Sequence, residues 1–280
     1  MRINNNMLAI NTHRQLGIST TAGAKSMEKL SSGYRINRAG DDAAGLSISE
    51  KMRGQIRGLT QASRNSQDGI SMIQTAEGAL NEVHAILQRM RELAVQAAND
   101  TNVSTDRNAI GSELEELGKE ISRIKDNTEF NTQKLLNGTA GTSGTVNLQV
   151  GANKDQKMVL EFKTAGINLS GVVTAVGTLK ASDVSGFAKA TATIETINTE
   201  LENVSKGRSL LGAYQNRLEH TIKNLDNTAE NLQASESRIR DVDMAKEMSE
   251  QTKQQILQQA STAMLAQANQ NPNTVLQLLR

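Results

Sequence analysis

An apolar residue recurs at every seventh position through a long stretch near the C-terminal end of the chain. The series is Ile197, Val204, Leu211, Leu218, Leu225, Leu232 and Ile239. Such a repeat predicts an α-helix that packs along a neighbouring helix. A helix over 194–239 would be about 68 Å long, whereas a compact globule of 280 residues has a diameter of roughly 50 Å. We therefore expect an elongated, coiled-coil-like helical bundle, a rod, in a mainly α fold.

Two other segments offer partners for this helix. A second heptad series (Ile73, Leu80, Leu87, Ala94) lies on a helix expected to run to about Asn99, and residues 110–124 form a shorter amphipathic helix after a break. Each buried Leu or Ile contributes on the order of 1.5–3 kcal/mol to such a bundle. We predict a buried set, the rod seam, made of Ile73, Leu80, Leu87, Leu211, Leu218, Leu225 and Leu232.

Glycines interrupt the helix that carries the second series. They are Gly45, Gly54, Gly58, Gly69 and Gly78, and each costs roughly 1 kcal/mol relative to Ala inside a helix. Either this part of the helix is weaker, or its backbone packs closely against a neighbour. The sequence leaves both interpretations open.

The middle of the chain has a different pattern. Val146, Leu148 and Val150 alternate with polar residues, and so do Met158, Leu160 and Phe162, with Gly151 and Asn153 between the two runs. This pattern predicts a small β-hairpin. For 163–190 the sequence indicates only a loop with short pieces of structure.

The two ends of the chain predict weak helices. Residues 4–32 should form a moderately amphipathic helix that ends at Gly33. From 241 onward the apolar residues are small and the polar face is mostly amide, and Pro272 is expected to end or kink the helix. Each segment buries too little apolar surface to order well alone, so both suit a state that forms only among many copies.

Charge and composition exclude several classes of function. The net charge of +1 provides no basic field for nucleic acid, and no stretch approaches the ~20 apolar residues of a membrane span. The chain has no cysteine, and its three histidines are far apart in sequence. Helix capping explains the carboxylate pair Asp41-Asp42. We therefore predict no catalytic site, cofactor or metal, and neither nucleic-acid binding nor membrane insertion.

Two long motifs carry a family resemblance. Residues 27–46 read MEKLSSGYRINRAGDDAAGL, residues 237–245 read SRIRDVDMA, and the chain closes on VLQLLR. Together they resemble the terminal blocks of bacterial flagellin over roughly 1–136 and 194–280. One departure is Thr132 after Phe130-Asn131, where flagellins usually carry glycine.

The resemblance implies a structural subunit that polymerises into the flagellar filament for swimming. It implies an extracellular protein that is exported without a cleaved signal peptide. A hook–filament junction (hook-associated) protein is the alternative, since those proteins resemble flagellin at both ends. The implied domains are a terminal polymerisation domain (1–40 plus 241–280), a helical rod domain (41–136 plus 190–240) and a short variable region (137–189).

The resemblance also implies partners. These are further copies of the chain, an export chaperone that binds 241–280, and hook-associated and filament cap proteins. The segment around Arg89 matches the flagellin stretch that animal Toll-like receptor 5 recognises, with Arg89, Leu93 and Glu113 at the matching positions. Arg89 and Leu93 fall outside the predicted seam, and in a filament this set would contact the next subunit, so recognition would require free monomer.

Overall fold

A computed structural model describes the backbone of residues 6–278 and the side chains of 6–270. Helices dominate this part of the chain: α1 (Met7–Ser32), α2 (Ala43–Ala97), α3 (Ser104–Asn127), α4 (Ser170–Val176), α5 (Phe187–Arg240) and α6 (Met244–Leu278). The mainly α fold is thus confirmed. None of the helices described here is long and apolar enough to cross a lipid bilayer.

The long heptad series lies on one uninterrupted helix, as predicted. All seven of its residues belong to α5, which has 54 residues and begins at Phe187, before the predicted start at 194. The predicted break after the second helix is also present, because α2 ends at Ala97 and α3 begins at Ser104.

The predicted β-hairpin is confirmed. Strands β3 (Thr145–Gln149) and β4 (Lys157–Glu161) pair antiparallel, with Val146 opposite Leu160 and Leu148 opposite Met158. Two further strands of two residues each form a short antiparallel hairpin. They are β1 (Glu129–Phe130) and β2 (Gln133–Lys134). In β4 the side chains of Met158 and Leu160 are buried and that of Val159 is exposed, so the hairpin turns one face to the core.

The segment predicted only as loop with short structure contributes to the core. It contains α4 and a 3₁₀ helix at Ala181–Val184, and Val172, Val176 and Val184 are buried. Gly118 of α3 permits close approach, because a Cβ there would lie 3.1 Å from the Cα of Gly177. The segment around Gly177 therefore packs directly against the backbone of helix α3.

The chain divides into two compact units. One consists of the residues up to Gln55 together with those from Glu230 onward, and the other of Ile56–Ala229. The second unit holds the main hydrophobic core, to which α2, α3, α5, α4 and the hairpin all contribute buried side chains. This core is predominantly aliphatic, as expected for a chain with two Tyr, three Phe and no Trp, and Phe162 and Tyr214 are its buried aromatic members.

The glycines of α2 do not share one explanation. A Cβ on Gly58 would lie 2.8 Å from the Cβ of Ala152, and one on Gly69 would collide with Leu148, so the hairpin region packs directly on the backbone at both positions. Gly54 and Gly78 have nothing within 4 Å. A Cβ on Gly45 would meet Asp42 and Ile36 at less than 3 Å. Close packing thus accounts for three of the five glycines, and the neighbour is the same chain.

The ends of the helices confirm some predicted boundaries and correct others. Gly33 ends α1 in the left-handed conformation (φ 74°), with its N–H bonded to the carbonyl of Lys29. Asp42 accepts from Gly45 N at 2.8 Å and so bonds the first turn of α2, whereas Asp41 accepts from Arg38 N and holds the preceding turn instead. Helix α6 continues to Leu278, so Pro272 does not end it.

Candidate assembly surface

Helices α1 and α6 pack against each other within the first unit, and the seam between them is polar or small. Ser19 and Ser26 of α1 and Gln251 and Ala268 of α6 are buried there. Ser19 and Ser26 are seven residues apart, as are Gln251 and Gln258, so heptad positions that usually carry leucine carry hydroxyls and amides instead. The seam therefore buries little apolar surface.

Side-chain amides fix the register of this pair. The Gln258 amide donates to the carbonyl of Ser19 at 3.1 Å, where the absence of a side chain on Gly23 leaves room for it. Asn6 caps α1 by accepting from Ala9 N, and its Nδ2 donates to the carbonyl of Ala268 at 2.7 Å. Pro272 has no N–H to donate to that carbonyl four residues earlier, so Asn6 supplies the missing hydrogen bond.

The large apolar side chains of both helices lie mostly outside the seam. The exposed ones are Met7, Leu8, Ile10, Ile18 and Met27 of α1, and Met244, Met248, Ile256, Leu257 and Met264 of α6. Most are more than half exposed. Exposed apolar surface on this scale usually marks an interaction site.

The connectors next to these helices are joined by backbone hydrogen bonds. Arg35 N donates to the carbonyl of Arg240 at 2.7 Å, and Val242 N donates to the carbonyl of Gly33 at 3.0 Å. Tyr34 and Asp241 thus form an antiparallel bridge. The segment that follows α1 and the segment that precedes α6 therefore lie side by side at this bridge.

Arg240 occupies the centre of the same junction. Its Nη1 donates to Glu50 Oε1 at 2.7 Å, and its guanidinium lies 4.9 Å from the centre of the Tyr34 ring. The Arg240 side chain is only 14 % exposed. The hydrogen bond from Arg240 is the main reason why the pKa of Glu50 is lowered.

The structure brings Arg89 and Glu113 together but buries Leu93. Arg89 of α2 pairs with Glu113 of α3 at 2.8 Å, and both are about half exposed; the pKa of Arg89 is raised chiefly by this hydrogen bond. Leu93 is 2 % exposed and belongs to the hydrophobic core. The ion pair shows that α3 packs on the side of α2 that carries Arg89 and Leu93. Leu93 is therefore a core residue and not the off-seam surface residue that the sequence predicted.

The structure places most of the rod seam in the interior. Ile73, Leu80, Leu87, Leu211, Leu218 and Leu225 are buried, and Leu232 is half-buried. Within the part of the chain whose side chains are described, no group of three His, Cys, Asp or Glu residues could hold a metal ion.

Sequence reasoning missed the polar seam and the Arg240 junction. A search for seven-residue spacing among polar residues would have found Ser19 with Ser26 and Gln251 with Gln258. No pattern in the sequence indicates that Arg240 meets Tyr34 and Glu50, because these residues are 206 and 190 positions away.

Comparison with known proteins identifies the family. The family model described as the bacterial flagellin N-terminal helical region matches residues 3–141, and the model of the C-terminal helical region matches residues 194–279. The chain belongs to the bacterial flagellin family. It is a structural subunit of the flagellar filament and not an enzyme.

Relatives match over their full length. A flagellin from Halalkalibacterium halodurans is 64% identical over 280 residues and one from Bacillus subtilis is 54% identical over 304, each alignment covering 100% of both chains. The crystal structure of Bacillus cereus flagellin is 32% identical with a TM-score of 0.50, covering 62% of this chain and 94% of that one. The full-length flagellin matches do not favour the hook-associated alternative.

Proposed function

We propose that the terminal segments 1–40 and 241–280 form the polymerisation domain of this flagellin. The observation that carries the proposal is the arrangement of α1 and α6. Their mutual seam is polar, whereas their large apolar side chains, Ile18 and Ile256 among them, are exposed. Burial of that surface requires neighbouring copies.

The energetics favour assembly by mass action. Ordering a residue costs about 1–2 kcal/mol of backbone entropy, and a polar seam offsets little of it within one chain. Contact with neighbouring copies supplies the missing apolar burial, and anything that binds only the ordered state stabilises it. A head-to-tail contact that does not close into a ring builds a filament.

The remaining residues have separate roles in this proposal. The stretches 41–136 and 190–240 form the rod domain, whose aliphatic core keeps the subunit folded. Residues 137–189 form the variable region, which includes the hairpin. Hook-associated and cap proteins are the proposed partners at the two ends of the filament.

Seeded growth tests the proposal directly. Purified chain is added to sheared fragments of its own filaments and imaged by negative-stain electron microscopy. We expect the fragments to elongate, with free subunit disappearing from the supernatant. Unchanged fragment lengths at every subunit concentration would overturn the proposal.

We also propose that an export chaperone binds 241–280 before assembly. Unpaired α6 presents Met248, Ile256 and Met264 on its surface, and an amphipathic helix of this kind suits a hydrophobic groove. Pull-down from the cytoplasm of the parent cell should recover the chaperone with the full chain and lose it when 241–280 is deleted. Equal recovery from both would refute this role.

Recognition by Toll-like receptor 5 is a further proposal for the free monomer. Arg89 and Glu113 offer exposed charge, and buried Leu93 supports the helix beneath them. In receptor-reporter cells, Arg89→Ala and Glu113→Ala should weaken signalling without lowering the melting temperature, whereas Leu93→Ala should lower both. Unchanged signalling from Arg89→Ala would argue against the site.

A further inference from the structure

The polar seam between α1 and α6 does not by itself explain what fixes the direction of this helix pair in the first unit. Two cross-helix hydrogen bonds of α1 and α6 come from the Asn6 and Gln258 side chains, and such bonds each contribute little net stability because they replace hydrogen bonds to water. A seam of this kind sets register but resists bending weakly. Another contact must determine the direction in which the pair leaves the junction.

We propose that Arg240 is a positioning residue for polymerisation: with Tyr34 and Glu50 it forms a clamp that fixes the orientation in which α1 and α6 are presented to neighbouring copies. The inference rests on the proposed assembly role of these helices. Arg240 would thus affect assembly indirectly, by setting the position of α1 and α6.

The clamp joins three segments of the first unit at one guanidinium. Arg240 is the last residue of α5, Tyr34 lies in the connector after α1, and Glu50 lies in the second turn of α2. Arg240 binds Glu50 through an ion pair and Tyr34 through its ring face. If the connector turned about its backbone bridge, the Tyr34 ring would leave the guanidinium that the ion pair with Glu50 holds in place.

The guanidinium of Arg240 is more shielded from water than that of an ordinary surface arginine. An exposed ion pair contributes little, and Glu50 and Tyr34 are partly exposed, but the Arg240 side chain is only 14 % exposed. A cation over an aromatic ring gains strength as water is excluded. Arg238 provides the contrast within the same helical turn. It is exposed and donates to Ser235 Oγ at 3.0 Å.

The experiment measures the critical concentration for elongation of wild-type seeds, using full-length chains. Arg240→Gln and Tyr34→Leu should each raise it about tenfold, the factor that corresponds to about 1.4 kcal/mol. Arg238→Gln removes the same charge and should leave it unchanged. Tyr34→Phe keeps the aromatic ring and should have the wild-type critical concentration. Arg240→Lys should raise the critical concentration as Arg240→Gln does, since an ammonium lacks the planar guanidinium face.

A second readout separates position from folding. Monomer melting followed by circular dichroism should change little in Arg240→Gln and Tyr34→Leu, because the main core lies in the other unit. Equal critical concentrations for Arg240→Gln and Arg238→Gln, or for Tyr34→Leu and Tyr34→Phe, would overturn the clamp while leaving the assembly role intact. Failure of the wild-type chain to elongate the seeds would overturn both.

Discussion

Leu218 is the residue on which the register of α5 depends most directly. It is fully buried in the core of the second unit. Leu218→Asp should lower the free energy of unfolding by at least about 3 kcal/mol, because it buries a carboxylate without a partner. Thermal unfolding of the monomer measures the loss. Leu232→Asp, at a half-buried position of the same series, is the control and should cost less; equal losses would mean that the burial of the series is misassigned.

Gly58 and Gly78 should respond to alanine with opposite signs. A Cβ at Gly58 would lie 2.8 Å from the Cβ and 3.1 Å from the Cα of Ala152, which cannot rotate away, whereas Gly78 is open. Gly58→Ala should therefore destabilise the monomer, and Gly78→Ala should stabilise it by roughly 1 kcal/mol through helix propensity. Melting temperatures of the two variants give the signs. Stabilisation by Gly58→Ala would show that the segment around Ala152 does not press on α2.

Thr132 occupies a turn position that suits glycine. Its φ is 65° and that of Asn131 is 48°, so the turn between β1 and β2 places a β-branched residue in the left-handed region. Thr132→Gly should raise the melting temperature, since residues in such regions cost about 1–3 kcal/mol. Thr139→Gly, at an exposed position without this backbone constraint, is the comparison. A lower melting temperature for Thr132→Gly would contradict the assigned conformation.

At this scale the sequence predicts residues within regular repeats better than residues at junctions. The seam positions from Ile73 to Leu225 follow from spacing alone, because one helical face must be buried. Leu93 does not, since its burial depends on where α3 returns along α2. Arg240 and Glu50 are 190 positions apart in sequence, and no local pattern records their contact.

Among the elements, the α1–α6 pair is the most sensitive to single hydrogen bonds. Gln258→Ala removes the amide that donates to the Ser19 carbonyl. Because the seam holds few apolar contacts, we expect amide hydrogen exchange in both helices to accelerate about fivefold, for a bond of about 1 kcal/mol. Exchange with mass-spectrometric detection is the measurement. Gln259→Ala, at the exposed neighbouring position, should change nothing, and equal acceleration by both variants would count against the proposed seam.

Element prediction succeeded where a period is long and failed where segments are short. Helix α5 and strands β3 and β4 carry several repeats of their period, so their type could be assigned. Two short elements were not predicted. Helix α4 has seven residues and the 3₁₀ helix at Ala181–Val184 has four, so each is shorter than two α-helical turns. They are held by close approach to glycines of α3, which is a tertiary effect that the local sequence does not contain.

At the scale of the whole molecule, the distribution of charge agrees with a role for the ends in assembly. Residues 1–40 carry six Lys or Arg and one Glu, a net charge of +5, and residues 241–280 carry three and four, a net charge of −1. Little net charge opposes contact between copies of a chain whose total is +1. The pairing of the two ends was indicated by the family resemblance, and composition supports it only weakly.

Deletion of either end tests whether the terminal helices are required for polymerisation. Chains lacking 1–33 or 241–280 are compared with the full chain by circular dichroism and by sedimentation after seeding. We expect both truncated chains to be helical monomers that stay in the supernatant while the full chain pellets as filaments, because the core of Ile56–Ala229 needs neither end. Normal filaments from either truncated chain would show that the deleted helix is not required for polymerisation.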